Sequence, residues 1–370
     1  MRWLWLILLS LAPMLVAADE SRAASQLSEL LNEEDDSGFA KALTVRPFTF
    51  PDDHGPHEAF RNEWWYITGN LDDEEGRRFG FEITIFRFSL TPRPLLADSA
   101  WRTNQVYIAH LAVTDADRDR FLVAERYSRG ALGLAGARAE PFRVWVDDWA
   151  IFSAGDGATW AIRAADGDIA LDLELEPLRE PVLNGDAGLS RKSSSIDSAS
   201  YYYSITRLQS AGTLSIDGES HAVSGLSWLD REWSTSALAA DQVGWDWFAL
   251  QLSDGTDLML YNIRKQDGSA DESSSGTISY PDNRSERLYP SDFEIVVRDL
   301  WTSPEGGEYP SRWTVRLPER NLELDIMPVI ADQELFTTVR YWEGAVNITG
   351  RHDDRPVSGR GYVELTGYAQ

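Results

Sequence analysis

The chain has 370 residues, with 60 Asp or Glu against 34 Lys or Arg; a net charge of -26 argues against nucleic acid and anionic membrane surfaces as partners. It has no cysteine, which excludes disulfides, thiolate metal sites and thiol nucleophiles. Its 15 Trp, 13 Tyr and 14 Phe suit strand faces and the walls of ligand cavities alike. In chain order, Arg2, an apolar run over residues 3–16 and the small Ala17 and Ala18 have the pattern of a cleaved signal peptide, residues 1–18, so a periplasmic or secreted protein is expected. The run is short of the roughly 20 apolar residues that cross a bilayer. Residues 19–43 read as an acidic leader, with four acids in a row at 33–36 and a helical turn set around 27–31. From there helical periodicity gives way to short alternating segments bounded by Gly, Asp and Asn. Strands are expected over 65–71, 79–88, 106–114, 142–151, 160–163, 169–175, 201–209 and 222–228, with a Ser/Gly/Asp-rich loop at 183–199. The same pattern then gives strands over 247–252, 258–264, 293–300, 312–317, 322–328 and 342–348.

Two blocks recur, which points to duplication. Trp65-Tyr66 leads through Leu71 and a turn to a strand closing on Arg87; Trp247-Phe248 leads through Leu252 and Ser253-Asp254-Gly255 to one closing on Arg264. A second block, 212–218 with Val223-Ser224-Gly225 and Trp228-Leu229-Asp230, matches 344–350 with Val357-Ser358-Gly359 and Tyr362-Val363-Glu364. One block opens each copy and the other closes it, so domains are expected over 44–236 and 237–370. The fold class that follows is all-β, two tandem antiparallel β-barrels, because closure covers sheet edges that no helix is present to cover. A pair of β-sandwiches fits the strand count as well.

Period-two alternation puts Trp228, Asp230 and Glu232 on one face of their strand and Leu229, Arg231 and Trp233 on the other. An acid desolvated beside an indole holds its proton towards neutrality and can donate it; the same residues also fit an ion-pair network joining the domains. Glu63-Trp64-Trp65-Tyr66 and Trp245-Asp246-Trp247 repeat the pattern of acid beside aromatics. His54 and His57 stand among Asp52, Asp53 and Glu58, a set that could ligate a metal or stabilise a loop; no metal and no cofactor are expected. His110, inside an apolar strand, is a core histidine or a base.

These stretches resemble the family that joins the carotenoid 1,2-hydratases (hydroxyneurosporene synthases) with the AttH-like proteins. The resemblance rests on Asp53-His54-Gly55-Pro56-His57 with Glu63-Trp64-Trp65-Tyr66, Ala109-His110-Leu111, residues 226–233, 244–248, 258–264 and 362–368. It implies two tandem lipocalin-like (calycin) barrels holding an apolar, isoprenoid or lipid-like small molecule near their junction. On this resemblance Asp230 would protonate an alkene, water would capture the cation, and Glu232, Glu63 and His110 would stand as base or supporting groups. The walls would be Trp64, Trp65, Trp228, Trp233, Trp245, Trp247 and Tyr261, with Asp246 beside them. Pigment hydratases carry a His-rich stretch where this chain has Leu229-Asp230-Arg231-Glu232, so it resembles the AttH-like branch. That branch implies secreted hydrolase or hydratase chemistry, or a carrier without turnover, and association with an envelope transport system.

Overall fold

The alternating segments pair into two sheets in a computed structural model, which describes residues 25–26, 37–93, 99–155, 157–235, 238–239 and 241–368. The expected signal peptide and the helical turn near 27–31 lie outside the described residues. The first sheet runs in the order Arg120–Arg129, Gln105–Asp115, Arg78–Ser89, Asn62–Asp73, Glu219–Ser234, Ala199–Ile216, Ile169–Pro177, Thr159–Asp166, Trp149–Ala154, Arg143–Val146 and Ala135–Arg138. The second runs Ser285–Leu288, Ser275–Ser279, Asp257–Lys265, Gln242–Leu252, Arg355–Leu365, Val339–His352, Leu322–Pro328, Glu308–Leu317 and Glu294–Thr302. Pairing is antiparallel throughout these paths; among the described residues Ser25–Gln26 alone adds a parallel pair, against Val339 and Arg340. The protein is therefore all-β, two tandem barrel-like sheets, and its helical elements among the described residues are the 3-10 turns Asp52–His54 and Pro318–Arg320.

The first sheet curls until strands near its two ends come into contact. Arg126, on one end strand of the first, bonds Asp166 at 3.1 Å and the Ala165 carbonyl at 2.9 Å and lies over the Trp149 ring. The interiors are packed solid with large side chains: Trp65, Trp149, Trp233 and Tyr203 fill the first, Trp313, Trp342 and Tyr309 the second.

Strand pairing sets the two copies in register. Asp230 pairs with Tyr66 and Ser204; Glu364 pairs with Trp247 and Glu343. The match of Trp228-Leu229-Asp230 to Tyr362-Val363-Glu364 therefore stands, as does that of Arg87 to Arg264. The opening block needs correcting by one residue: Tyr66, not Trp65, corresponds to Trp247. A one-residue slip exchanges the faces of a strand, and Trp65 points into its barrel while Trp247 points out. Likewise Gly212, facing Val223, corresponds to Gly350, facing Val357, and not to Gly344. The repeated Ser-Gly pair has a steric cause. A Cβ on Gly225 would lie 2.0 Å from the Asn70 carbonyl oxygen and one on Gly359 2.4 Å from that of Gln251. Gly225→Ala is expected to cost roughly 1–3 kcal/mol, as overpacking does; a urea midpoint equal to that of the parent would contradict it.

Two expected elements change. Residues 142–151 form a hairpin, Arg143–Val146 with Trp149–Ala154, because Asp147 takes a left-handed turn at φ 54°, which Asp tolerates. The 183–199 loop carries the strand Leu189–Arg191, paired to Ala199–Ile216, which anchors it over the junction. The barrels meet along their outward faces through Asn70 to the Gly361 carbonyl at 3.1 Å, Arg360 to Asp72 at 2.6 Å and Thr114 to Gln333 at 2.7 Å.

Candidate functional site

The outward faces of the two central strand groups leave a cavity of about 80 Å³ between the barrels, several times the roughly 10–15 Å³ that admits one water. Its lining is close to two-fold: Trp64 with Trp245, Tyr66 with Trp247, Thr84 with Tyr261, Phe86 with Ile263, Tyr202 with Tyr341 and Asp230 with Glu364, each pair equivalent by strand register. Leu238, Ser234, Glu232, Glu343 and Lys192 complete it.

Among the described residues, Asp230 on this wall forms no ion pair with a cation of its own. The Ser204 hydroxyl donates to Oδ1 at 2.5 Å and the Trp228 indole N–H at 2.7 Å, and the Tyr202 hydroxyl donates to Oδ2. Tyr202 is itself fixed by the Trp247 N–H at 3.0 Å. Burial pushes Asp230 up to about 7 against these three bonds, which favour the charged form. Burial likewise lifts Glu364 to about 8. Glu343, which accepts from Tyr66, is held well above the carboxylate range by burial and then by the neighbouring Glu82 and Glu364. Glu82, equally buried, is pushed up by the same desolvation.

Glu232 differs, because it forms an ion pair with Lys192 at 2.8 Å. Burial works to lower the Lys192 ammonium, and the Glu232 charge, then Tyr261, outweigh it, leaving its proton more tightly held. The ammonium also lies 4.5 Å from the Tyr261 ring centre. The cavity is thus an aromatic chamber with three carboxyl groups poised to carry protons and one neutralised pair.

The expected site residues divide cleanly. Asp230, Glu232, Trp64, Trp245, Trp247 and Tyr261 line the cavity; Trp228 supports Asp230 from the side. Trp65 and Trp233 lie inside the first barrel, on the far face of the sheet, and are not walls. Asp246 faces into the second barrel, accepting from Arg264 and from the Tyr368 hydroxyl at 3.0 Å.

Glu63 is enclosed in the first barrel, where Arg87 and Arg231 both donate to it. Burial opposes its charge, and the two guanidiniums more than restore it, holding it well below the usual range. It therefore keeps no proton to give and is no cavity base. His57 stacks on Trp233 at 3.7 Å and its backbone N–H bonds Glu63; His54 Nδ1 lies 2.6 Å from the Tyr203 hydroxyl. Burial, then Arg231, lowers His54 to about 4. These histidines close the mouth of the barrel, and among the described residues no group of three or more His, Asp or Glu is arranged to hold a metal ion. His110 stands behind the cavity wall, 2.8 Å from the Tyr341 hydroxyl. Sequence reasoning missed Glu343, Tyr202, Tyr341 and Lys192. Glu364 surfaced only as the counterpart of Asp230, and that pairing was the signal that could have placed it in the site.

Comparison with known proteins agrees with this architecture. A crystal structure of a protein given the AttH designation, from Nitrosomonas europaea, is 34% identical with a TM-score of 0.80, over 90% of this chain and 100% of that one. Kievitone hydratase from Nectria haematococca is 15% identical with a TM-score of 0.67, covering 91% and 98%. CghA, crystallised with Sch210972, is 12% identical with a TM-score of 0.51, covering 93% and 98%; these two show the likeness of fold. No curated protein matches the chain. The family model described as AttH-like matches residues 41–368, nearly all of the described chain, and the protein belongs to the AttH-like family with a lipocalin-like fold.

Proposed function

We propose that the protein takes an apolar, unsaturated small molecule of isoprenoid or lipid-like character into the junction cavity and adds or removes water by carboxylic-acid catalysis, without a cofactor. Asp230 carries this reading: a carboxyl in aromatic surroundings, triply hydrogen-bonded, in no ion pair among the described residues, and near 7 in its proton affinity, which is where a general acid works best at neutral pH. In the hydration direction the Asp230 O–H bond breaks as the alkene π pair forms a C–H bond. The cation left on the other carbon is faced by Trp64, Trp245 and Trp247, whose quadrupoles favour positive charge where water is scarce. A water oxygen then bonds to that carbon and releases a proton to a cavity carboxylate. The name of kievitone hydratase supports water addition as chemistry that this fold houses. We place the protein in the periplasm or outside the cell on the pattern of residues 1–18.

A carrier without turnover would use the same walls, and one experiment separates the two. Isoprenoid alkenes and the matching alcohols are incubated with protein in isotopically heavy water, and oxygen incorporation is read by mass spectrometry. The parent is expected to incorporate label and Asp230→Asn to lose about 10²–10⁴-fold in rate, with ligand quenching of tryptophan fluorescence preserved in both. Quenching without incorporation by the parent across the series would establish the carrier.

A further inference from the structure

Tyr341 and Glu343 are two residues apart on Val339–His352 and so share the face that lines the cavity. Behind Tyr341 lies His110, fully buried on Gln105–Asp115 of the other barrel. Its Nδ1 is 2.8 Å from the Tyr341 hydroxyl and its Nε2 3.2 Å from Glu125 Oε1. Glu125, the cross-strand neighbour of His110, keeps 15% of its side chain exposed and accepts from the exposed Thr338 N–H at 3.2 Å and hydroxyl at 2.8 Å. At the inner end, beside Tyr341 on the same face, the Glu343 carboxyl accepts from Tyr66 at one oxygen, and its buried Oε2 has no hydrogen-bond partner among the described residues, which leaves it free to hold a proton towards Tyr341. Packing alone would be met by apolar side chains; a polar row through a protein interior is costly unless its members are joined end to end.

We propose that Glu343, Tyr341, His110 and Glu125 form a proton conduit that crosses from one barrel to the other and connects the cavity with solvent. It rests on the acid-catalysis reading and gives the buried cavity acids a route for proton exchange with solvent that does not flood an apolar site. The bonds have one consistent polarity. A Glu125 carboxylate can only accept, so His110 carries hydrogen on Nε2, its Nδ1 accepts from the Tyr341 O–H, and the Tyr341 oxygen keeps a lone pair for a proton passed from Glu343. In one passage the Glu343 proton moves to the Tyr341 oxygen, the Tyr341 proton to His110 Nδ1 and the Nε2 proton to Glu125. Three bonds break and three form. Glu343 ends as a carboxylate, Glu125 as an acid and His110 in its other tautomer, and the reverse passage loads Glu343 from solvent. His110 and Glu125 touch no substrate and are positioning residues in this scheme.

The test needs no substrate. Protonated carboxyl groups have a carbonyl stretch separate from that of carboxylates, and its shift after mixing into heavy water times their exchange with solvent. Glu343→Gln identifies the Glu343 component of the band in the full-length protein at neutral pH. His110→Phe and, on the outside, Glu125→Gln are each expected to slow exchange of that component about tenfold or more, the effect of a modest added barrier. A purely structural role would change the melting temperature and leave the exchange rate alone. Unchanged exchange in Glu125→Gln and in folded His110→Phe overturns the conduit while the acid reading stands. Absence of any protonated-carboxyl band in the parent sinks the acid reading, and the conduit with it.

Discussion

Glu63→Ala is expected to destabilise the protein by about 3–5 kcal/mol, the cost of breaking a buried ion pair from one side. Glu63, Arg87 and Arg231 are all without exposed surface, and both guanidiniums donate to the one carboxylate. Arg231 also donates to the Gly55 carbonyl at 2.6 Å and lies 4.0 Å from the Trp65 ring centre. Arg87 bonds the Phe60 carbonyl at 2.8 Å. Removing the acid leaves two positive charges enclosed, with only carbonyls and rings to meet them, and releases the His57 N–H that closed the barrel mouth. Urea unfolding followed by tryptophan fluorescence measures this; a loss under about 1 kcal/mol, the worth of a surface pair, would show that water reaches the triad.

Asp230→Asn should change how stability depends on pH. The folded chain holds the Asp230 proton up to about 7, while the unfolded chain releases it near the ordinary 3.8. Over that window the folded state binds more protons, so this group makes the parent less stable as pH rises from about 4 to about 7, with no further change above. Asparagine has no such slope. The variant is therefore expected to gain on the parent across the window by about 2–4 kcal/mol, three pKa units at roughly 1.4 kcal/mol each being the upper bound. Glu63 titrates in both proteins and cancels from the comparison, whereas Glu364, which the Asp230 charge helps to raise, is relieved of that repulsion in the variant, adding to its gain. Parallel stability curves from pH 4 to 8 would mean that Asp230 is ionised in the folded state throughout.

The fold was legible because strand periodicity and duplication are local signals: alternation alone sorted Trp228, Asp230 and Glu232 from Leu229, Arg231 and Trp233, and the structure separates them into cavity side and barrel core. Arg120–Arg129 escaped because an end strand with half-exposed faces carries charges at positions a central strand would keep apolar. The site was half legible. Glu343 and Glu364 occupy strand positions where an acid ordinarily signals solvent, and only a partner sheet, invisible in the sequence, turns that face inward. Lys192 lies in a polar stretch that reads as a surface loop. Trp65 was drawn into the expected site by a register off by one, and Trp233 by the family resemblance, against the alternation that had already put it on the other face.

The near two-fold lining has a consequence for stereochemistry. A chamber whose halves were identical would accept a ligand equally well in either of two opposed orientations, and an acid on one wall would then deliver its proton to both faces of a double bond. Here the loop carrying Lys192 is an insertion in the first copy, and it pairs Glu232 with an ammonium on one side, while burial holds Glu343 well above the carboxylate range on the other. The two ends of the chamber thereby become chemically distinct, so under the proposed chemistry a bound molecule would have a head and a tail, and product of a single hand would follow from an insertion in one half of a doubled chain.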